Sequence, residues 1–486
     1  MPTKERLAAV YNNYEAVIGL EVHAELSTRS KIFCACPTTF GAPPNTACCP
    51  VCTGFPGTLP VLNRAAVELG IKAGLATDCE ISRRVRFHRK HYTYPDLPKG
   101  YQITQYDHPL CRSGRLTFPL AGAEKTVDIT RIHLEEDAGK LIHTGEGLSL
   151  VDHNRCGVPL IEIVTEPVIH SAEEAVAFLK ALRLRLLYAG VSDCKMQEGS
   201  LRCDVNLSVR RIGETTLGVR TEMKNLNSFT AVAGAIKAEF ARQVRALENG
   251  EAIYRETRRF DEQKGETVLL RRKESVSDYR FLPEPDLPPF SLEDGLVERL
   301  QGSLPSLPEA RRTDYKALYG ATEEECDLLL SSPHLASFFE SCASQTPYPK
   351  LLIHLLLGEI LRILPADPKA TDFTASPTAF ARVATLWGEG KLNSTAAKAL
   401  AMLVWQGEQD PASAMERLNL AQNSNPHDIE TWITQVFQAR PDMLESYRRG
   451  KTNVVKAITG AVMAASKGKA DPVMLKTLLE KRLKSL

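Results

Sequence analysis

The densest chemistry in the sequence is a run of thiols. Cys34-Ala-Cys36 is followed, after twelve residues, by Cys49-Pro-Val-Cys52. Two close pairs let four thiolates converge on one tetrahedral Zn²⁺. The intervening PTTFGAPPNTAC is loop-like, as zinc knuckles are. A closed set of Cys34, Cys36, Cys49 and Cys52 leaves no position for water, so the site reads as structural rather than catalytic. Cys48 adjoins the second pair and could displace a neighbour as ligand. The remaining cysteines are scattered and read as small buried hydrophobes.

A second chemistry is spread over several runs that alternate. In VIGLEVHAEL, Leu20, Val22, Ala24 and Leu26 point one way, and Glu21, His23 and Glu25 the other. Two carboxylates and an imidazole on one strand face are costly to bury unpaired and suit a divalent cation; an exposed polar sheet face is the plain alternative. RIHLEEDAGK places Glu135 and Asp137 on one face and Glu136 on the other. Glu162 sits between Ile161 and Ile163. GSLRCDVNLSVR alternates cleanly, with Leu201, Cys203, Val205, Leu207 and Val209 opposite Arg202, Asp204, Asn206, Ser208 and Arg210. TEMKNLNSF adds Glu222 and Lys224 on one face. Together these runs describe an antiparallel sheet with acids, Arg, Lys and Asn on its open face. Such a face suits Mg²⁺ and nucleotide phosphates, because Mg²⁺ is hard and bridges carboxylates to phosphate. FHRKHYTYPDLPKGYQITQ supplies Arg89, Lys90 and Lys99 among tyrosines. No Walker A, kinase glycine-rich or dinucleotide-binding motif is present, so an ATP site here is of another type.

The elements that must hold these side chains fall into three textures. Residues 1–295 mix alternating strands with helices such as 171–190, for which Ser171 is the N-cap and Gly190 the stop. FLPEPDLPPF reads as a linker, because four prolines forbid regular structure. Residues 296–410 read as helical, with 349–364 as one buried helix. Residues 411–486 form a third helical unit. There Ile429, Trp432, Ile433, Val436 and Phe437 share one helix face, and Asp471–Pro472 opens a last helix with Leu475, Leu478, Leu479 and Leu483 in one stripe.

At 486 residues, 43% hydrophobic and 24% charged, the chain has the composition of a multidomain globular protein and not of a disordered one. Lys+Arg at 60 balances Asp+Glu at 59, so overall charge names no partner. Residues 440–486, however, hold eleven basic and four acidic residues, enough to meet a polyanion or simply to solvate a helix face. No run reaches the ~18 apolar residues of a membrane span. The N-terminal MPTKERLAAVYNNYEAVIG lacks the apolar core of a signal peptide. Twelve cysteines without such a signal point to a reducing, cytoplasmic compartment.

The motifs GLEVHAEL, KIFCACPTTFGAPPNTACCPVCTGFPGTLPVLN, RKHYTYPDLPKGYQITQY, HLEEDAGK, NRCGVPLIEIVTEP, EGSLRCDVNLSVR, EMKNLNSF and DYRFLPEPDL resemble the B subunits of the tRNA-dependent amidotransferases, the GatB family, in the family order. The tail YRRGKTNVVKAITGAVMAASKGKADP resembles the family's YqeY-like domain. The resemblance implies an α+β catalytic domain similar to the glutamine synthetase fold, then an all-α domain and a YqeY-like tRNA-binding tail. It implies a heterotrimer with a glutaminase A subunit and a small C subunit, acting on Glu-tRNA(Gln), Asp-tRNA(Asn) or both. It further implies ATP-dependent activation of the aminoacyl carboxylate as an acyl phosphate, and amidation by ammonia from the A subunit. By position, the family's Mg²⁺ and kinase residues fall on Glu21, His23, Glu136 and Glu162, although strand parity groups Glu135, not Glu136, with Asp137. Lys90 and Lys99 fall on the route between ammonia tunnel and site. Arg155, Asp204, Asn206 and Lys224 fall in motifs that line the pocket. The four cysteines match the zinc-bearing members. One rival from another class is a zinc-bearing tRNA-binding scaffold without a catalytic centre. The archaeal E subunit is disfavoured because the motifs leave no room for its insertion.

Overall fold

The computed structural model describes residues 12–144, 147–272, 279–451, 453–466 and 468–484. Residues 1–11, on which the expectation about a signal peptide chiefly rests, lie outside that set. The chain forms two compact units, one ending at Pro308 and the other beginning at Glu309.

The first unit is built on strands β1 (Tyr14–Glu25), β2 (Glu80–Ile81), β3 (His88–His91), β4 (Tyr101–Thr104), β5 (Cys111–Leu120), β6 (Ala123–Glu136), β7 (Pro159–Thr165), β8 (Leu201–Arg211), β9 (Thr221–Leu226), β10 (Glu256–Asp261) and β11 (Glu266–Arg272). Nine of these join in one sheet, ordered β11-β10-β9-β8-β1-β7-β6-β5-β2. Every adjacent pair is antiparallel except β9 with β10, which run parallel. The sheet is therefore antiparallel-rich, as the alternation implies, with one parallel step that alternation cannot reveal.

Strand β1 sits at the centre because its apolar residues fall on one face. Ile18, Leu20, Val22 and Ala24 are buried there, beside Cys203, Val205 and Leu207 of β8 and Ile161 and Ile163 of β7. Helices α1 (Arg64–Ala76), α2 (Ala172–Tyr188) and α3 (Phe229–Glu248) cover this face. A slip of one residue would turn each of these side chains to the open face. The Ile, Leu and Val side chains among them each contribute about 1.5–3 kcal/mol on burial, so the register is strongly fixed. The start of α2 follows the sequence reading: Ser171 accepts from the Glu174 amide at 3.0 Å, Glu174 accepts from the His170 amide at 3.0 Å, and Gly190 ends the turn at φ +66°. Strands β3 and β4 form a separate hairpin, and Leu282–Pro283 pairs with β3. The proline-rich segment is thus packed rather than a free linker.

In the second unit, helices Pro333–Ala343, Pro377–Gly388 and Ser394–Trp405 surround the rings of Phe338, Phe380 and Trp405. The run 349–364 is not one helix. Pro349–Leu355 is α-helical and Leu356–Ile360 widens into a π-turn, while Leu352, Ile353, Leu355, Leu356 and Ile360 remain buried. The extra residue per turn lets both sides of the break keep apolar residues inward. Helices Pro426–Ala439, Val454–Ala465 and Pro472–Lys484 close a cluster of Ile429, Ile433, Val436, Ile458, Val462, Leu475, Leu479 and Leu483. Asp471 caps the last helix, accepting from the amides of Val473 and Met474 at 2.8 and 2.9 Å. No helix among the described residues is long and apolar enough to cross a membrane.

Candidate functional site

The open face of the sheet gathers ionisable side chains because registers of neighbouring strands coincide. His23 of β1 stands opposite Glu162 of β7 and Arg202 of β8, and Glu162 stands opposite His133 of β6. Strands are ~4.8 Å apart, so one row of side chains crosses four strands within contact distance. The His23 Nε2 lies 3.4 Å from Glu162 and 3.5 Å from Glu135, and the His133 Nε2 lies 3.5 Å from Glu162 and 3.7 Å from Glu135. Two carboxylates and two imidazoles share one buried cluster.

The electrostatics follow from that sharing. Burial pulls the His23 imidazole down, but the hydrogen bond and charge of Glu162, with Glu135 beside it, lift it to about 9. Burial pushes both carboxyls up, and the two imidazoles more than reverse this. Glu135 is held below the ordinary range and Glu162 well below it. His23, Glu135 and Glu162 each offer a donor atom, and the three lie within 4.8 Å of one another. The ionised oxygen donors, joined by the His23 imidazole once it yields its proton to an entering ion, fit a hard divalent cation such as Mg²⁺ or Mn²⁺.

The placement of Glu136 corrects the cation set that the resemblance implies. Its side chain points to the opposite face, where Oε2 pairs with Lys99 Nζ at 2.6 Å and Oε1 accepts from the Ile103 amide at 2.8 Å. A β-strand cannot turn Glu135 and Glu136 to the same side, so Glu135 takes the place beside His23. Glu21 is also outside this first set. It joins Asp204 and Glu222 in a second carboxylate group two residues along β1. Asn206 donates to Glu21 at 2.9 Å, and Lys224 pairs with Asp204 and, at 3.1 Å, with Glu222. Burial, then the Glu162 charge, raises the Glu21 carboxyl. Burial pulls the Lys224 ammonium down, but its two carboxylate partners raise it.

One cleft is lined by His23, Lys90, Gln102, Glu135, Arg202, Asp204 and Lys224. Lys90 enters it from the β3–β4 hairpin, with Nζ over the Tyr279 ring at 5.1 Å. Lys99 lies in a different recess, with Glu136, Tyr101, Cys34 and Cys52. Between them, Gln102 donates to the Glu136 carbonyl at 2.8 Å. Arg155 does not line the cleft. It fastens the turn after β6, donating to the carbonyls of Ala138 and Gly139 at 3.0 and 2.8 Å and pairing with Asp137 at 3.3 Å. Asp137 also takes Arg202 at 2.6 Å, and among the described residues the buried Arg202 Nε has no hydrogen-bond partner.

Sequence reasoning passes over His133, although parity is a sufficient signal: Ile132 and Leu134 are core, so His133 must share the face of Glu135. Arg202 is legible as an open-face residue, but its pairing with Asp137 is not.

The four sulfurs of Cys34, Cys36, Cys49 and Cys52 lie within 4.8 Å of one another. The Cys49 and Cys52 sulfurs are 3.9 Å apart, near the ~3.8 Å edge of a tetrahedron with 2.3 Å Zn–S bonds. The donor set therefore fits a closed zinc site. Cys48 is outside it, its thiol donating to the Asn45 carbonyl at 3.4 Å. Cys34 hydrogen-bonds to Cys52 and holds that thiol below the ordinary range despite its burial.

Two family descriptions match this chain: the GatB/GatE catalytic domain over residues 16–298, and the GatB domain associated with YqeY over residues 337–483. Among curated proteins, the chain is 47% identical to the B subunit of the aspartyl/glutamyl-tRNA(Asn/Gln) amidotransferase from Caldicellulosiruptor saccharolyticus, over 97% of this chain and 100% of the relative. It is 46% identical to the protein of the same name from Caldanaerobacter subterraneus subsp. tengcongensis, over 97% and 99%. The Geobacter sulfurreducens counterpart is 46% identical, over 97% and 100%.

Proposed function

The chain belongs to the GatB family, and from that premise we propose that it is the B subunit of an aspartyl/glutamyl-tRNA(Asn/Gln) amidotransferase. Identity of 47% extending over 97% of the chain carries this reading. The reaction converts Glu-tRNA(Gln), Asp-tRNA(Asn) or both to the corresponding amides. An unactivated carboxylate resists ammonia, because addition would have to expel oxide. ATP supplies the remedy: a carboxylate oxygen attacks the γ-phosphorus, ADP leaves, and an acyl phosphate forms. Ammonia then adds to the acyl carbon, loses a proton, and phosphate departs with the C–O bond's electron pair.

The residues of this chain divide that work. His23, Glu135 and Glu162 would hold Mg²⁺, with Glu21 and Asp204 of the second group beside them. Mg²⁺ when bound would neutralise phosphate charge and orient the γ-phosphate. Asn206 orients Glu21 through its amide. Lys224, held between Asp204 and Glu222, offsets the repulsion between those two carboxylates and lets them lie close together. Lys90 and Arg202 present cationic groups to the cleft where anionic substrate must lie. Lys99 and Glu136, in their separate recess, lie on the route by which ammonia would arrive from the A subunit. The antiparallel-rich sheet is in keeping with a glutamine-synthetase-like catalytic domain. Residues 1–295 would be that domain, 296–410 the helical domain and 411–486 the tRNA-binding tail, in a cytoplasmic heterotrimer with A and C subunits.

The test is ATP-dependent amide formation on Glu-tRNA(Gln) and Asp-tRNA(Asn) by the reconstituted trimer, with glutamine in one tube and ammonium chloride in another. Product in both tubes is expected. Product with ammonium alone would locate the fault in the ammonia route. No product in either tube, with tRNA still bound, would favour a scaffold without a catalytic centre.

A further inference from the structure

Lys31 is fully buried. An ammonium removed from water is costly unless acceptors and a counter-charge meet it. Among the described residues, no carboxylate lies within ion-pairing distance of Lys31. Its Nζ instead lies 3.4 Å from the Cys52 sulfur and 3.5 Å from the His153 carbonyl. The position is built, not incidental. The Lys31 amide donates to the Cys36 carbonyl at 2.9 Å, and its own carbonyl accepts from the Asn63 side chain at 3.2 Å. The stem passes Gly157, where an added Cβ would stand 3.7 Å from Lys31 Cδ and 3.4 Å from Cys52 Cβ, at a φ of +80°. Glycine there lets the lysine stem and the cysteine lie against the same turn.

The missing anion is supplied if the four cysteines hold a metal. Four thiolates on a divalent ion carry a net charge of −2. Of the four, Cys52 is the most buried and already accepts an N–H from the Cys49 amide at 3.2 Å. We propose that Lys31 is the buried counter-charge of the Cys34–Cys36–Cys49–Cys52 centre, and that its N–H···S bond to Cys52 slows loss of the metal. The assignment rests on reading those cysteines as a zinc centre. Its chemical consequence is specific. An N–H donor and a nearby positive charge draw electron density from a metal-bound thiolate. They lower its nucleophilicity and stabilise the dianionic cluster, so removing them should loosen the metal and expose Cys52 to alkylation.

The experiment uses the full-length chain, purified with zinc. Metal content is measured first, then the rate of zinc transfer to an excess of a chromogenic chelator and the rate of thiol alkylation by iodoacetamide. Lys31→Met is expected to release zinc about 10–100-fold faster than the native chain, matching the range by which metal affinity falls when partners of metal ligands are removed. Lys31→Arg, which keeps the charge and the N–H, should stay within a few-fold of native. Should Lys31→Met not fold, Lys31→Gln keeps an N–H, drops the charge, and should fall between the two. One zinc per chain with unchanged release from the charge-deleting variants would overturn the role of Lys31 alone. A native chain that holds no zinc would overturn the metal reading of the cysteines and this assignment with it.

Discussion

Glu135 and Glu136 are neighbours in sequence and answer to different partners: one sits against two imidazoles, the other against an ammonium on the far side of the strand. Their substitutions should therefore separate. Glu135→Gln removes an ionised donor from the His23 cluster. It is expected to abolish Mn²⁺ binding, followed by electron paramagnetic resonance, and to lower amidation at least ~100-fold with either nitrogen source, because cation stabilisation of transferring charge is worth several kcal/mol. Glu136→Gln should leave Mn²⁺ binding intact and reduce glutamine-driven amidation more than ammonium-driven amidation. Equal loss of Mn²⁺ binding in both variants would defeat the division between the faces. The distinction was legible in the sequence, since strand parity alone pairs Glu135 with Asp137; the motif resemblance pulled the other way because the two acids are adjacent. Parity could not reveal Lys31 or the role of Arg155. A residue's face can be read from alternation, but not the carbonyls or sulfurs that a long cationic side chain reaches after the chain closes.

At the scale of elements, the sheet was readable wherever one face is apolar and the other polar, as in β1 and β8. It was unreadable where pairing is set by distant strands, as in the parallel step between β9 and β10. The segment 281–290 shows the same limit. Its prolines keep it from a long regular strand, yet Glu284 is buried and takes two guanidinium bonds of Arg89, at 2.8 and 2.9 Å, with a third to Asp286 at 3.2 Å. That bidentate pair fastens the segment to β3 and so positions the hairpin that carries Lys90. Arg89→Met would leave Glu284 as an uncompensated buried charge. The expected cost is about 3–5 kcal/mol, read as a lower urea midpoint of the first unit, with a raised KM for ATP if the hairpin shifts. A midpoint within error of native would show that the segment holds its place by other contacts. The cysteine knuckle makes a parallel case. Structural zinc contributes folding energy directly, so dialysis against a chelator should lower the melting temperature by several degrees. Added Zn²⁺ should restore it and Mg²⁺ should not, as measured by calorimetry.

At the scale of the whole molecule, the proposed catalytic face and the proposed tRNA-binding tail lie on different parts of the chain, and they should respond to different perturbations. The cluster around Ile433, Val462, Leu475 and Leu479 gives the last helices a core of their own. Around it Arg448, Lys451, Lys456, Lys476, Lys481 and Lys484 are exposed. Exposed cations contribute little to stability, so in the proposed reading their concentration here serves to meet a polyanion. Each phosphate contact releases about one counterion, and binding then weakens steeply as salt rises. Deleting residues 411–486 is therefore expected to raise the KM for tRNA at least tenfold while leaving the KM for ATP within about twofold. It should also flatten the dependence of tRNA affinity on KCl between about 50 and 200 mM. The salt slope is the decisive reading. A deletion that raised the KM but kept the full slope would mean that the tail acts by supporting another surface and that the phosphate contacts lie elsewhere. An unchanged KM would mean that the basic face is only solvated. A raised KM with a shallower slope would place the contacts on these helices, and it would explain how one subunit can hold a large nucleic acid without committing its small catalytic face to that task.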